Sequence, residues 1–226
     1  MNLDAPQPHP ALGGPPATTT ITVVDYGVGN IGALLNMFDY LGIDAQASGD
    51  AAVLAKADKL VLPGVGAFDK AMSTLRARRL VEPLNEAVLV RRRPVLGVCL
   101  GMQLLARRSE EGAEPGLGWV AADVRRIVLD EGSTLKVPHI GWGEVTPKHH
   151  SALFDPPDPV QPVERFYFDH GYHVCCDRPG DVAAVIDYGS ELCCAVSTGH
   201  IHGVQFHPEK SHRFGMRLLR AFAQLT

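Results

Sequence analysis

The sequence predicts an α/β fold in which a central, mainly parallel sheet is flanked by helices and extended by antiparallel strands. Three observations carry this expectation. Apolar, β-branched runs at Ile21–Val24, Leu60–Leu62 and Pro94–Val98 lead through short turns into segments with helical spacing. The first half thereby reads β-α-β-β-α-β-α, the order of a parallel sheet with crossover helices. After Gly112 the texture changes to short alternating segments separated by Gly, Pro and Asp, which reads as hairpins added to that sheet.

The elements follow in order. Met1 to Thr20 is rich in Pro, Ala and Thr and lacks a basic start followed by an apolar core, so it reads as a disordered extension rather than a secretory signal. Residues 21–226 form one domain. Ile21–Val24 is the first strand, punctuated by Asp25-Tyr26-Gly27-Val28-Gly29-Asn30. A helix over Ile31 to Leu41 places Ile31, Leu34, Leu35, Phe38 and Leu41 on one face, with Asn30 as N-cap and Gly42 as stop. A weak strand covers Asp44 to Ser48, and a stronger one, Leu60–Leu62, runs into Pro63-Gly64-Val65-Gly66. The stretch from Ala67 to Arg93 is helical, and Pro83 is expected to divide it. Pro94–Val98 reads as a buried strand entering Cys99, followed by a helix over Leu100 to Arg108. Antiparallel strands are expected near Val124–Leu129, Glu144–Thr146, Arg165–Phe168, His173–Cys176, Val182–Ile186, Cys193–Val196 and Ile201–Gln205. Pro156 to Pro162 marks a surface loop. His212 to Gln224 forms the last helix, with Phe214, Leu218, Leu219 and Phe222 on one side.

Composition narrows the class. Of 226 residues, 46% are hydrophobic and 20% charged, and 21 Lys+Arg against 25 Asp+Glu give −4. No basic excess points to nucleic acid, and no apolar run approaches the roughly 18 residues of a membrane span. The five cysteines are odd in number, and four stand in adjacent pairs at Cys175-Cys176 and Cys193-Cys194, without a zinc-type CxxC. Free thiols in a reducing cytoplasm are expected, with the paired cysteines as apolar strand residues. No metal or tightly bound cofactor is implied.

The sharpest local feature is Gly97-Val98-Cys99-Leu100-Gly101, between a strand and a helix. A nucleophile on such a turn needs small residues two before and two after, because the strand and helix backbones approach there. The position also sets the thiol at a helix N-terminus, which favours thiolate, whereas a packing cysteine between two glycines is the alternative. A cysteine nucleophile needs a base with an orienting partner, and His207-Pro208-Glu209 offers both at the end of an apolar strand. His139, His149, His150, His200, His202 and His212 read as surface or packing residues. Leu62-Pro63-Gly64-Val65-Gly66 can turn backbone N–H groups toward an anion, as an oxyanion hole beside the thiolate or as a phosphate turn. No P-loop motif supports the phosphate reading. Gly27, Gly29 and Gly32 match GxGxxG by letter, but no strand-ending acid follows about 20 residues on, which disfavours a dinucleotide.

These motifs resemble a known family. Gly97-Val98-Cys99-Leu100-Gly101-Met102-Gln103 and Gly203-Val204-Gln205-Phe206-His207-Pro208-Glu209 are similar to the two catalytic motifs of class I (triad) glutamine amidotransferases, which have a flavodoxin-like core. The stretches Asp25–Asn30, Leu62–Phe68, Pro138–Trp142 and His207–Ser211 resemble those of the glutaminase subunits of imidazole glycerol phosphate synthase, the HisH type. The resemblance runs from Ile21 to the C-terminus. It implies glutamine hydrolysis by a triad of Cys99, His207 and Glu209, with an oxyanion hole from the backbone near Gly64 and Val65. It implies that Leu100, Gln103 and the backbone of Asp169, His170, Gly171 and Tyr172 hold glutamine. Ammonia would pass to a HisF-like (β/α)8-barrel synthase subunit in a heterodimer, yielding imidazole glycerol phosphate and an aminoimidazole carboxamide ribotide. Trp142, Tyr167 and Lys210 would lie near the partner face, with simple packing as the alternative for the two aromatics.

Two positions depart from the pattern. The family often has Asn where this chain has Gly143, and His-Ser-Tyr or His-Thr-Tyr where it has His170-Gly171-Tyr172. Three other readings remain at this level: a paralogue supplying ammonia for amidation of a surface sugar, a non-catalytic scaffold, and a PfpI-like hydrolase or cysteine peptidase. The intact Cys99, His207 and Glu209 oppose the scaffold, and Gln103 with the His-Pro-Glu context opposes the last.

Overall fold

The structure is a computed structural model and describes residues 20–148, 151–154 and 163–225. The N-terminal extension up to Thr19, His149, His150 and the proline-rich segment therefore lie outside the described residues.

Among the described residues, eleven strands and six α-helices are defined. The parallel part of the sheet comprises β1 (Ile21–Val24), β2 (Ala45–Ser48), β3 (Lys59–Gly64), β4 (Val95–Cys99) and β11 (Ile201–Val204). Four further strands, β6 (His139–Pro147), β7 (Glu164–His170), β9 (Val182–Asp187) and β10 (Glu191–Thr198), pair antiparallel to complete a nine-stranded sheet in the order β2-β1-β3-β4-β11-β10-β9-β6-β7. The helices are α1 (Ile31–Tyr40), α2 (Ala51–Lys56), α3 (Phe68–Ala77), α4 (Val81–Asn85), α5 (Leu100–Leu104) and α6 (His212–Gln224). The expected fold class is therefore observed.

The core lies on both faces of the sheet. Period-two alternation sends Val61 of β3 to one face and Leu60 and Leu62 to the other. The first face receives α1 through Leu34 and Phe38, and α6 through Phe214, Leu218, Leu219 and Phe222. Each such fully buried side chain stabilises the fold by about 1.5–3 kcal/mol. The second face receives Leu54 of α2, Phe68, Met72 and Leu75 of α3, Leu84 of α4 and Leu100 of α5. It also receives Val124 and Val174 from a separate two-stranded sheet of β5 (Ala122–Arg126) and β8 (Tyr172–Cys176).

Four local expectations are corrected. The long helical stretch breaks at Arg78 to Leu80, where Arg79 takes φ +55°, and not at Pro83. Pro83 stands in the first turn of α4, where its missing N–H has no intrahelical acceptor to satisfy, so it is tolerated. The helix then widens into one π-type turn over Glu86–Val90. Helix α5 ends at Leu104, four residues short of expectation. The helix α2 was not anticipated; Asp50 caps it by accepting from the N–H groups of Ala52 and Val53. The strand expected over Ile201–Gln205 is not simply part of a hairpin: β11 pairs antiparallel with β10 but parallel with β4, with Gly203 opposite Gly97. That parallel pairing places the residues after β4 and β11 at the same end of the sheet.

The paired cysteines are strand residues. Cys193 and Cys194 are buried in β10, Cys175 and Cys176 are half-buried in β8, and all five thiols are free. Burial pushes the Cys194 thiol well up, so it packs as a neutral group. No helix of the described residues is long and apolar enough to cross a membrane.

Candidate active site

The site is built from the ends of β3, β4, β11 and β7. Cys99 is the last residue of β4 and takes φ +54°, a left-handed conformation rare for a side-chain-bearing residue. This turn requires its glycines. A Cβ on Gly97 would stand 2.7 Å from the Gly101 carbonyl oxygen, and one on Gly101 would stand 1.8 Å from that of Leu62. Strand, nucleophile and helix therefore fit together only because both flanking side chains are absent.

Next to Cys99 runs the end of β3, with Gly64 in register opposite Cys99 and beyond it the exposed Val65. This segment is fixed from below. The hydroxyl of the buried Tyr26 donates to the Pro63 carbonyl at 2.8 Å. Burial, with a smaller contribution from the nearby Cys99 sulfur, raises the Tyr26 phenol far above its ordinary range, so it remains a donor.

His207 follows β11. Its backbone N–H donates to the Tyr167 carbonyl at 2.9 Å. Ser211 locks the turn: its hydroxyl donates to the His207 carbonyl at 2.6 Å and accepts the Tyr167 N–H at 3.0 Å. The imidazole Nδ1 lies 2.8 Å from Glu209 Oε1, with both side chains buried. Burial opposes charge on His207, but hydrogen bonds to Cys99 and to Glu209 outweigh it and push its pKa up to about 10. A sulfur, an imidazole and a carboxylate thus form one chain of contacts.

They face a cavity of about 420 Å³, a size suited to an amino acid. Its lining includes Val65, Cys99, Leu100, Gln103, His170, Gly171, Tyr172, His207 and Lys210 from the sequence reading. Gly64 and Glu209 do not line it, and each adjoins a residue that does, Cys99 and His207 respectively. Trp142 and Tyr167 do not line the cavity but join it through Lys210: their rings meet edge-on at 6.3 Å, and Lys210 Nζ sits 5.4 Å from the Tyr167 ring. Trp142 also stacks on His212 at 5.6 Å.

His170 is buried, and its Nδ1 donates to the Tyr172 carbonyl at 2.8 Å. Burial drives its pKa down to about 4, so it is neutral. The two departures have local explanations. A Cβ at Gly143 would stand 2.3 Å from Ile186 Cδ1 and 3.1 Å from Phe168, so neighbours already fill that space. At Gly171 the nearest atom to a Cβ is 3.7 Å away, ordinary contact, and its carbonyl accepts the Ile127 N–H.

Four participants were not singled out by the sequence. Glu111 lines the cavity and accepts the Phe68 N–H at 2.9 Å; the run Ser109-Glu110-Glu111 gave no reason to prefer it. Arg126 reaches the same cavity from β5. Gln205 is fully buried and touches both Gln103 and Cys99. A glutamine between Val204 and Phe206, at the end of an apolar strand, was the available signal. Ser211 stands in the His207–Ser211 motif, and its positioning role has no signal in sequence.

The fold and this cysteine elbow define a class of protein. The family model described as glutamine amidotransferase class-I matches residues 22–224, and the chain belongs to that family. Solved structures agree on the fold. A crystal structure of a glutamine amidotransferase superposes with TM-score 0.68 at 20% identity, covering 89% of this chain and 96% of that one. The PurLQS structure from Thermotoga maritima gives 0.66 at 17% identity, covering 90% and 96%.

Curated sequences are more specific. The imidazole glycerol phosphate synthase subunit HisH 2 of Pseudomonas aeruginosa is 46% identical over 206 residues, covering 91% of this chain and 100% of the relative. The HisH subunit of Bdellovibrio bacteriovorus is 45% identical over the same shares.

Proposed function

We propose that this chain hydrolyses L-glutamine to glutamate and ammonia, as the HisH-type glutaminase subunit of imidazole glycerol phosphate synthase in histidine biosynthesis. The observation that carries this is the Cys99 elbow in contact with the His207–Glu209 pair beside one amino-acid-sized cavity, in a chain that matches HisH subunits over their full length. Residues from Ile21 onward act as one amidotransferase domain, and the free cysteines suit a cytoplasmic enzyme.

The mechanism follows from the placement of the groups. The Cys99 thiolate attacks the side-chain amide carbon of glutamine. Negative charge develops on the carbonyl oxygen, beside the backbone of Gly64 and Val65, whose N–H groups serve as oxyanion donors. His207 delivers a proton to the departing nitrogen, leaving a thioester and ammonia. The neutral imidazole then takes a proton from water, which hydrolyses the thioester to glutamate. Glu209 fixes the ring orientation and supports the imidazolium.

Charge complementarity suggests how glutamine lies. Glu111 offers a carboxylate to the α-ammonium group, and Arg126 a cation to the α-carboxylate. Leu100, Gln103 and the His170–Tyr172 backbone enclose the side chain. The partner is a HisF-type (β/α)8-barrel synthase subunit that receives the ammonia as a heterodimer. The cluster of the exposed Trp142 with Tyr167 and the cavity-lining Lys210 suits the docking face.

The test is glutamate release by the pure chain, alone and with its barrel subunit plus the ribotide acceptor. Strong stimulation by both is expected. Activity with no ribotide response would redirect the reading to sugar amidation, and no activity under any condition would leave a scaffold. The barrel subunit supplied with free ammonia should work whatever the state of Cys99.

A further inference from the structure

The mechanism above leaves Gln205 unused, although its side chain touches the reacting sulfur. Its Nε2 lies 3.8 Å from Cys99 Sγ, within N–H···S range, and the residue has no solvent exposure. The orientation of its amide is dictated by its neighbour. Gln103 Nε2 lies 3.1 Å from the Tyr172 carbonyl oxygen, which can only accept, so the NH2 group of Gln103 must face it. The second N–H of the same group points at Gln205 Oε1, 3.0 Å away. With its oxygen held by Gln103, Gln205 has only its NH2 to turn toward Cys99.

We infer that Gln103 and Gln205 form a relay, anchored on the Tyr172 carbonyl, that delivers a fixed amide N–H to Cys99 and stabilises its thiolate. The inference deepens the glutaminase reading and rests on it. Two groups meet the sulfur with opposite preferences. The thiol finds an acceptor in the Asp169 carbonyl oxygen at 3.9 Å, which would repel a thiolate, whereas an amide N–H favours the charged sulfur. Gln205 is thus a positioning and charge-stabilising residue beside the imidazole of His207. Gln103 has both N–H groups committed, so it offers glutamine only its carbonyl oxygen, as an acceptor. The anchor on Tyr172 also joins the nucleophile to the segment that encloses the substrate side chain.

The test is the pH profile of Cys99 alkylation by iodoacetamide, followed on the Cys99 peptide by mass spectrometry to separate it from the other four cysteines. The Gln205→Met variant keeps the side-chain volume and removes the donor. Its Cys99 should alkylate about tenfold more slowly at pH 7, with the profile displaced to alkaline pH, as expected for loss of a hydrogen bond to a charged group. Its kcat for glutamate release should fall with little change in KM.

A Gln205→Met profile that superposes on the parent's would overturn the relay. A parent Cys99 that reacts no faster than Cys175 would instead sink the glutaminase reading itself. A second measurement needs no variant that must fold. The side-chain amide proton of Gln205, followed by NMR through the Cys99 titration, should move downfield as the thiolate forms. An amide signal indifferent to that titration would refute the contact.

Discussion

His207 is held between a sulfur and a carboxylate in a buried setting, and its proton is therefore retained to about pH 10. The consequence for stability has a definite sign. In the unfolded chain an ordinary histidine releases its proton near pH 6.5. Below that pH both states hold the proton, and the contribution of His207 is fully present. As pH rises from about 6.5 to about 10, the unfolded state loses the proton first, and the contribution is progressively lost. Urea midpoints measured from pH 6 to 10 should therefore fall more steeply for the parent than for His207→Gln. At the same scale, Cys99→Ala should lower glutamate release by about a thousandfold or more, and His207→Ala nearly as far, because the groups act as a unit. Glu209→Gln should be milder, since its amide oxygen can still accept from Nδ1. All three should keep the parent's circular dichroism and barrel binding. Near-normal turnover by Cys99→Ala would end the triad mechanism.

At the scale of elements, the β4–α5 elbow and the α3–α4 break place their constraints in different residues. The elbow depends on Gly101, where a methyl group would collide with the Leu62 backbone. Gly101→Ala should cost about 3 kcal/mol or more and reduce soluble yield, read from denaturant midpoints. The α3–α4 break depends on the left-handed Arg79, not on Pro83. Pro83→Ala should change stability by less than about 1 kcal/mol, because a proline in the first helical turn forfeits no hydrogen bond. A large loss at Pro83 would mean that the proline does set the break.

At the scale of the whole molecule, aromatic packing reinforces the β10–β11 pairing that joins the parallel and antiparallel parts. Phe166 of β7 stacks on Phe206 after β11 at 3.8 Å, and Phe168 meets the same ring edge-on at 5.6 Å. These contacts hold β7 against the segment that follows β11, and the residues at and beyond the end of β7 include Asp169 and Tyr172, whose carbonyl groups meet Cys99 and Gln103. Phe206→Ala should destabilise by about 3–5 kcal/mol and lower glutaminase activity as well. Acid should act on the molecule as a whole. Burial holds both His170 and His202 down to about 4. Between about pH 6.5 and 4 the unfolded chain takes up these protons first, so stability falls as pH drops through that range. Together with the alkaline loss at His207, this predicts maximal thermal stability near pH 6–7, measured by scanning calorimetry.

By itself the sequence determined the elements whose cause is local. Ile21–Val24 and His212–Gln224 match the structure residue for residue, because β-branched runs and helical spacing act over a few positions. The Gly97–Gly101 spacing around Cys99 was legible for the same reason, since the turn's steric needs sit within five residues. The boundary at Arg79 carried no signal, because a left-handed arginine follows from how α3 and α4 pack rather than from its own preference. The parallel pairing of β11 with β4 was equally hidden. Register and direction are settled by buried faces contributed from residues about a hundred apart, Gly97 and Gly203 among them. Tertiary structure alone brought Glu111, Arg126, Gln205 and Ser211 to the site. Each is an ordinary polar residue in sequence, and its chemistry arises from burial and from partners supplied by distant strands.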